Sequence, residues 1–115
     1  KACFLQLEEN NMAFYLLHPR EFEDIFLKKR AVIIDVRERE DYRKFHLRGA
    51  INCPYDEMER WMFQLKKGRT YILYCQYGST SLMAARRMSH QGFEVYTIVG
   101  GIEAIQKYQK MGPFS

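Results

Sequence analysis

YILYCQYGSTSLMAARRMSHQG, residues 71–92, decides how this chain is read. Its first four residues, Tyr71-Ile72-Leu73-Tyr74, form an unbroken run with the pattern of a buried strand. Cys75 ends the run, and Gln76-Tyr77-Gly78-Ser79-Thr80 makes a short polar loop. A helical rhythm begins at Ser81, with Leu82, Ala84, Ala85 and Met88 spaced to face a core. Gly92 stands where a helix C-terminus favours glycine. The spacing therefore predicts a thiol between a parallel-type strand and a helix N-terminus.

That position has chemical consequences. The first amides of a helix lack intrahelical partners, and the helix dipole favours negative charge beside them. Cysteines in such a setting ionise more readily than free ones, and the thiolate is the nucleophilic form. A tight loop around the thiol would aim amides at any anion it carried, and Gly78 would let the backbone curl closely. Position alone leaves two readings of Cys75: a reactive thiol, or an inert core thiol at a strand end.

Composition bounds the alternatives. With 115 residues the chain is one domain with a real core, and its 47% hydrophobic and 28% charged content is ordinary for a globular protein. The net charge of +4 is dispersed. Lys28-Lys29-Arg30 and Lys66-Lys67-Gly68-Arg69 are short runs before apolar strands, which suits helix C-termini better than a nucleic-acid surface. Cys3, Cys53 and Cys75 are odd in number and widely spaced, which argues against a disulfide framework, a C-x-x-C redox pair or a zinc site. His18, His46 and His90 show no ligand spacing, so no metal is expected. No apolar run approaches a membrane span and no leader pattern is present, so a cytoplasmic location is expected.

Outward from the central stretch, strands and helices alternate. Residues 1–13 are an extension of uncertain role: Ala2 to Leu7 reads as a short strand and Glu8-Glu9-Asn10-Asn11 as a turn or linker. They suit a hairpin partner, a tag remnant or the tail of an upstream segment. Ala13–Leu17 reads as a strand, followed by a helix opened by His18-Pro19 with Phe22, Ile25, Phe26 and Lys29 in helical rhythm. Ala31–Val36 reads as a strand buried on both faces, interrupted near its C-terminal end by Asp35. Sites in open α/β sheets form at that end, and Asp35 reads equally as a cap for the next segment. A charged helix over Arg37–Lys44, with Tyr42 and Phe45 on its buried side, is expected next. Then come a short strand Ala50–Cys53, a helix from about Tyr55 to Leu65 closed by Gly68, a strand Glu94–Val99, and a final helix Ile102–Lys110. That last helix carries Ile102, Ile105 and Gln109 on one side and ends at Gly112-Pro113. The pattern predicts an α/β fold, a central parallel sheet flanked by helices on both faces, within a single domain over 14–115.

Several separated motifs together resemble a rhodanese domain. Ile33-Ile34-Asp35-Val36-Arg37, with Glu38, Glu40, Asp41 and Tyr42 after it, resembles that family's IDVRE…Y segment. His46–Asn52 with Pro54 resembles its HIPGAINIP segment, and Phe93–Gly101 its G(F/Y)xVxxLxGG segment. Cys75–Ser81 stands where the family carries C-x-x-G-x-R-S. The resemblance covers about residues 14–111. It implies a sulfurtransferase of thiosulfate or mercaptopyruvate type, with Cys75 as nucleophile and persulfide carrier and no cofactor. It also implies a small sulfur donor, and a thiol or protein as acceptor. Gln76, Tyr77, Gly78, Ser79, Thr80 and Ser81 would form the amide cradle and touch the donor, and Asp35 and Arg37 would support the site. The family's loop usually carries arginine where this chain has Thr80. Thr80 offers one hydroxyl and no charge to a sulfonate-like donor, which turns attention away from thiosulfate.

Three rival readings remain. A cysteine phosphatase loop needs arginine six residues after the cysteine, and Ser81 stands there. A rhodanese-like module used for interaction or regulation commonly lacks the cysteine, which this chain keeps. A thiol sensor would have Cys75 oxidised, or paired transiently with Cys53.

Overall fold

The computed structural model describes residues 5–9 and 12–111. A six-stranded sheet runs in the order β1-β2-β6-β5-β3-β4, with β1 Leu5–Glu9, β2 Met12–Leu17, β3 Val32–Asp35, β4 Ile51–Asn52, β5 Thr70–Tyr74 and β6 Glu94–Ile98. Strands β2 to β6 pair in parallel, and β1 pairs antiparallel with β2. Within the N-terminal stretch, Leu5–Glu9 is a strand paired with β2, so Glu8 and Glu9 belong to that strand and not to a turn. Cys3 and the Gly112-Pro113 helix stop lie outside the described residues.

Five helices cover the sheet: α1 Phe22–Lys29, α2 Arg39–Lys44, α3 Met58–Trp61, α4 Ser79–His90 and α5 Gly101–Met111. Each face has its own core. Met58, Trp61 and Met62 pack with Ala84, Ala85 and Met88 of α4 on one face. Ile25 of α1 packs with Ile102 and Ile105 of α5 on the other. Strand alternation divides the central strand accordingly: Tyr71, Leu73 and Cys75 point to the α4 side, Ile72 and Tyr74 to the α1/α5 side. All five β5 residues are buried, as an apolar run in a central parallel strand requires. Each large aliphatic side chain so removed from water stabilises the fold by roughly 1.5–3 kcal/mol.

The structure corrects several local expectations. Helix α4 starts at Ser79, two residues before the apolar rhythm, because its first turn is polar and belongs to the loop. The segment expected as one helix over 55–65 is a 3-10 turn at Tyr55–Glu57, four α-helical residues, and a 3-10 turn at Met62–Gln64. A helix this short has both terminal turns tightened to i→i+3 bonds, such as Glu57 N–H to Pro54 C=O at 3.0 Å. The Trp61 indole also donates to the Pro54 carbonyl at 2.7 Å. The charged helix begins at Arg39 rather than Arg37, and Phe45 is 49% exposed rather than buried. Phe45 is extended, and its carbonyl accepts from Arg37, which turns its side chain outward. Helix α1 is preceded by a 3-10 turn at Pro19–Glu21, capped by the His18 ring and the Glu21 carboxylate. The short strand keeps only Ile51–Asn52. Strand β6 stops at Ile98, Val99 turning outward toward Gly100-Gly101, and Gln109 is exposed in the last turns of α5.

Candidate active site

The C-terminal ends of β3 and β5 meet at the point where the chain's winding reverses. From β3 the chain passes through α2 to β4 at the sheet edge; from β5 it passes through α4 to β6 on the other side. Ligands of open α/β sheets sit at such a reversal. Cys75 follows β5 there, and Val36-Arg37 follows β3.

The Cys75 sulfur accepts two backbone hydrogens, from Gly78 N–H at 3.1 Å and Ser81 N–H at 3.2 Å. The Ser81 hydroxyl lies 3.5 Å away. That hydroxyl already accepts from Thr97 Oγ1–H at 2.7 Å, so its single hydrogen is left for the sulfur or for the Gly78 carbonyl at 3.3 Å. Cys75 is 4% exposed, and Ser81 and Thr97 are fully buried. The thiol is therefore not sealed among apolar groups. Donors converge on it from the loop and from the first turn of a twelve-residue helix, whose dipole adds to theirs.

The loop is held in that shape from behind. Gly78 has φ +112°, and a β-carbon there would stand 3.1 Å from the Gly100 nitrogen. Gly101 is tighter: a β-carbon would lie 2.5 Å from the carbonyl oxygens of both Cys75 and Gln76. Those carbonyls accept from the first turn of α5, Ile102 N–H to Cys75 at 2.8 Å and Glu103 N–H to Gln76 at 3.3 Å. Helix α5 thus takes up the outward carbonyls, and the loop amides remain turned toward the sulfur.

Asp35 shares the face of Tyr74, opposite to Cys75, and reaches the site only through Arg37. The carboxylate is fully buried and grips the guanidinium with Nε–Oδ1 at 3.1 Å, Nε–Oδ2 at 3.2 Å and Nη2–Oδ2 at 2.8 Å; it also accepts the Arg37 amide at 2.9 Å. Arg37 Nη1 donates to Gln76 Oε1 at 3.0 Å, and Gln76 Nε2 donates to Glu103 Oε2 at 2.7 Å. A chain of polar contacts therefore ties β3, the cysteine loop and α5 together. Burial works against the Arg37 charge, but the Asp35 hydrogen bonds and charge outweigh it and hold its pKa above the ordinary value. Burial, aided by Asp35, pushes the Tyr74 phenol well up, and its oxygen accepts the Leu47 amide at 3.0 Å.

Cys53 is a different kind of thiol. Burial first, then the Asp35 and Glu57 carboxylates, push its pKa up to about 11. It follows β4, two strands from Cys75 across Val36, so the two α-carbons stand roughly 10 Å apart. A disulfide needs about 7 Å or less. Both are free, and the thiol-sensor pairing is out of reach.

An open cleft leads to Cys75. It is lined by Val36, Pro54, Tyr55 and Met83 on its apolar side and by Arg37, Glu38, Asp41, Asp56, Gln76 and Thr80 on its polar side. Of the loop residues singled out in the sequence, Gln76 and Thr80 face this cleft, and Ser81 lies behind the sulfur. Tyr77, Gly78 and Ser79 line a neighbouring groove with Leu16, Leu82 and Val99, and Tyr77 is 71% exposed. Asp56, Tyr55, Met83, Thr97 and Glu103 escaped the sequence reading. Thr97 did leave a signal: a lone hydroxyl at an inward strand position needs a buried partner. Arg87 does not line the cleft; it lies over the ring of Tyr55, which does, and its Nη2 is 3.9 Å from Glu59. Among the described residues no His, Cys, Asp or Glu cluster has the arrangement of a metal site, and no helix is long and apolar enough to cross a membrane.

A largely parallel sheet with helices on both faces and a thiol held by amides at its winding reversal defines an α/β protein. Within that class the chain belongs to the rhodanese-like domain family, whose model matches residues 18–108. Over 79 residues it is 32% identical to thiosulfate sulfurtransferase GlpE of Coxiella burnetii, covering 67% of this chain and 74% of that protein. It is also 32% identical over 83 residues to a tRNA sulfurtransferase of Pyrobaculum aerophilum, covering 72% of this chain but only 17% of that longer protein. The solved structure of a rhodanese-related protein from Thermoplasma volcanium has the same fold, with a TM-score of 0.73 at 22% identity over 79% of this chain and 89% of that one.

Proposed function

We propose that this chain is a sulfurtransferase that carries a sulfane sulfur as a persulfide on Cys75. The observation that carries the reading is the pair of amide hydrogens, from Gly78 and Ser81, directed at Sγ. Such donors stabilise negative charge that develops on the transferred sulfur, and the burial of Cys75, 4% exposed, strengthens them. The family's named sulfurtransferases support the same reading.

The step is a displacement at sulfur. The Cys75 thiolate attacks the outer sulfur of the donor; a new S–S bond forms, the donor's S–S bond breaks, and its electron pair leaves on the departing group. From thiosulfate the departing group is sulfite with two negative charges, and the persulfide keeps one. An acceptor thiolate then attacks the outer sulfur and returns Cys75 as a thiolate. Thr80 and Gln76, which line the cleft, touch the donor, while Ser81 supplies an amide and a hydroxyl to the cradle. Asp35 is a positioning residue acting through Arg37 and Gln76. A nucleophile that must stay a free thiol fits a reducing compartment such as the cytoplasm.

One specific feature, the uncharged Thr80 in the loop, favours a second reading as an interaction module without turnover. Intact-mass spectrometry after exposure to several donors separates the two. A one-sulfur gain in the wild type, missing in Cys75→Ser, is the expected result; no gain from any donor leaves only the module.

A further inference from the structure

Among the described residues, the cleft that leads to Cys75 presents no unengaged cation to an anionic donor. Arg37 is the only cation lining it among the described residues, and all three nitrogens of its guanidinium are engaged: Nε and Nη2 with Asp35, Nη2 with the Phe45 carbonyl, and Nη1 with Gln76. Only 8% of that side chain is exposed. Thr80 brings no charge. Against this stand three exposed carboxylates that line the same cleft, Glu38, Asp41 and Asp56, none in an ion pair among the described residues. Arg39, next to Glu38, is forked onto Glu57 at 3.1 and 3.3 Å. The overall charge of the chain is +4, so this negative mouth runs against the balance of the molecule. A cleft lined with one sign of charge concentrates partners of the other sign and slows those of its own.

We infer that the physiological donor is a persulfide whose carrier bears positive charge beside the sulfur, and that Glu38, Asp41 and Asp56 determine this preference. The inference rests on the sulfurtransferase reading of Cys75. The step exchanges one sulfur: the Cys75 thiolate and a persulfide R–S–SH give the Cys75 persulfide and the thiolate R–S⁻. The new S–S bond forms at Sγ, the donor's S–S bond breaks, and its electron pair leaves on the carrier sulfur. No oxidant or reductant is consumed. A dianion such as thiosulfate, or a phosphate-rich carrier such as RNA, meets three like charges at the mouth. An ammonium-bearing small thiol or a lysine-flanked cysteine of a protein meets three opposite ones.

The test uses three small persulfides that differ in the charge of the carrying group: 2-aminoethyl, 2-hydroxyethyl and 2-carboxyethyl. Two synthetic peptides, with a persulfidated cysteine flanked by lysines or by glutamates, distinguish a small carrier from a protein one. The rate of the one-sulfur mass gain on Cys75 is followed at low and high salt, in the wild type and in Glu38→Gln/Asp41→Asn/Asp56→Asn. All three positions are exposed, and thermal unfolding verifies the fold of the variant. In the wild type at low salt, aminoethyl outpaces carboxyethyl by roughly tenfold or more, and lysine-flanked outpaces glutamate-flanked likewise. The differences shrink at high salt. In the triple variant the order flattens to within about twofold, and thiosulfate loads faster than in the wild type. Equal wild-type rates for the cationic and anionic carriers, or an order that survives the triple substitution, overturn the inference while leaving sulfur transfer intact. Absence of any adduct on wild-type Cys75 overturns the sulfurtransferase reading itself, and this inference with it.

Discussion

Replacing Gly101 by alanine tests the contact on which the shape of the cysteine loop depends. The new methyl would stand 2.5 Å from the carbonyl oxygens of Cys75 and Gln76, both backbone atoms that cannot swing aside. The first turn of α5 must retreat, which breaks or stretches the bonds from Ile102 and Glu103 to those carbonyls. Two backbone hydrogen bonds at about 0.5–1.5 kcal/mol each give roughly 1–3 kcal/mol. The left-handed backbone at φ +66° adds roughly 1–2 kcal/mol for any residue with a β-carbon. The total is about 2–5 kcal/mol, or a fall in Tm of roughly 8–20 °C for a domain of this size. Gly49→Ala is the matched control: its φ is +83° but nothing lies within 4 Å of the added carbon, so only the backbone cost of roughly 1–2 kcal/mol applies. Urea unfolding of both variants, with sulfur loading of Cys75 measured under folded conditions, separates the two effects. Gly101→Ala is expected to lose more stability than Gly49→Ala and to load sulfur more slowly while still folded. Equal losses in the two variants, with unchanged loading in Gly101→Ala, would refute the claim that α5 holds the cradle.

Thr80→Arg places a guanidinium at the position that the family's loop usually gives it. A charge-assisted contact of about 1.5–3 kcal/mol raises kcat/KM for thiosulfate roughly ten- to hundredfold; unchanged turnover in a folded variant counts against the account of Thr80. Arg37→Met leaves the fully buried Asp35 carboxylate without its cation and costs about 3–5 kcal/mol in chemical unfolding. A loss under 1 kcal/mol would mean the pair contributes little. The raised pKa of Cys53 has a stated sign: the folded thiol keeps its proton to about pH 11, whereas the unfolded one loses it near 9. Its contribution is therefore intact below pH 9 and declines as pH rises through 11, by about 2–3 kcal/mol in all. Tyr96, raised by burial to about 12, acts in the same direction in both proteins, so the pH slope of Cys53→Ala relative to wild type isolates the thiol. Parallel slopes between pH 9 and 11 would contradict that assignment.

The fold was legible because its strands are long apolar runs punctuated by glycine and charge. Tyr71–Tyr74 and Val32–Ile34 read as buried strands from their short, unbroken apolar runs, and alternation with helical rhythms implied the parallel sheet. The strand–Cys75–loop–helix order was legible for the same reason. What could not be read was direction in space. Nothing local tells that Asp35 and Cys75 point to opposite faces of adjacent strands; the register of β3 against β5 does. Phe45 looks like a core residue until its carbonyl is seen to serve Arg37. The 55–65 segment has helical spacing, but that spacing says little about whether its ends tighten to 3-10 turns. Asp56 and Met83 belong to the cleft only because separate elements converge there, which no window of sequence contains.

The grip of residues 101–103 on Cys75 and Gln76 also bears on biosynthesis. The thiol leaves the ribosome well before the helix that aligns the amides around it. During that interval the amides of Gly78 and Ser81 are not yet held toward the sulfur by α5. The arrangement of amides around Cys75 is therefore completed late, by a helix that follows it in the chain.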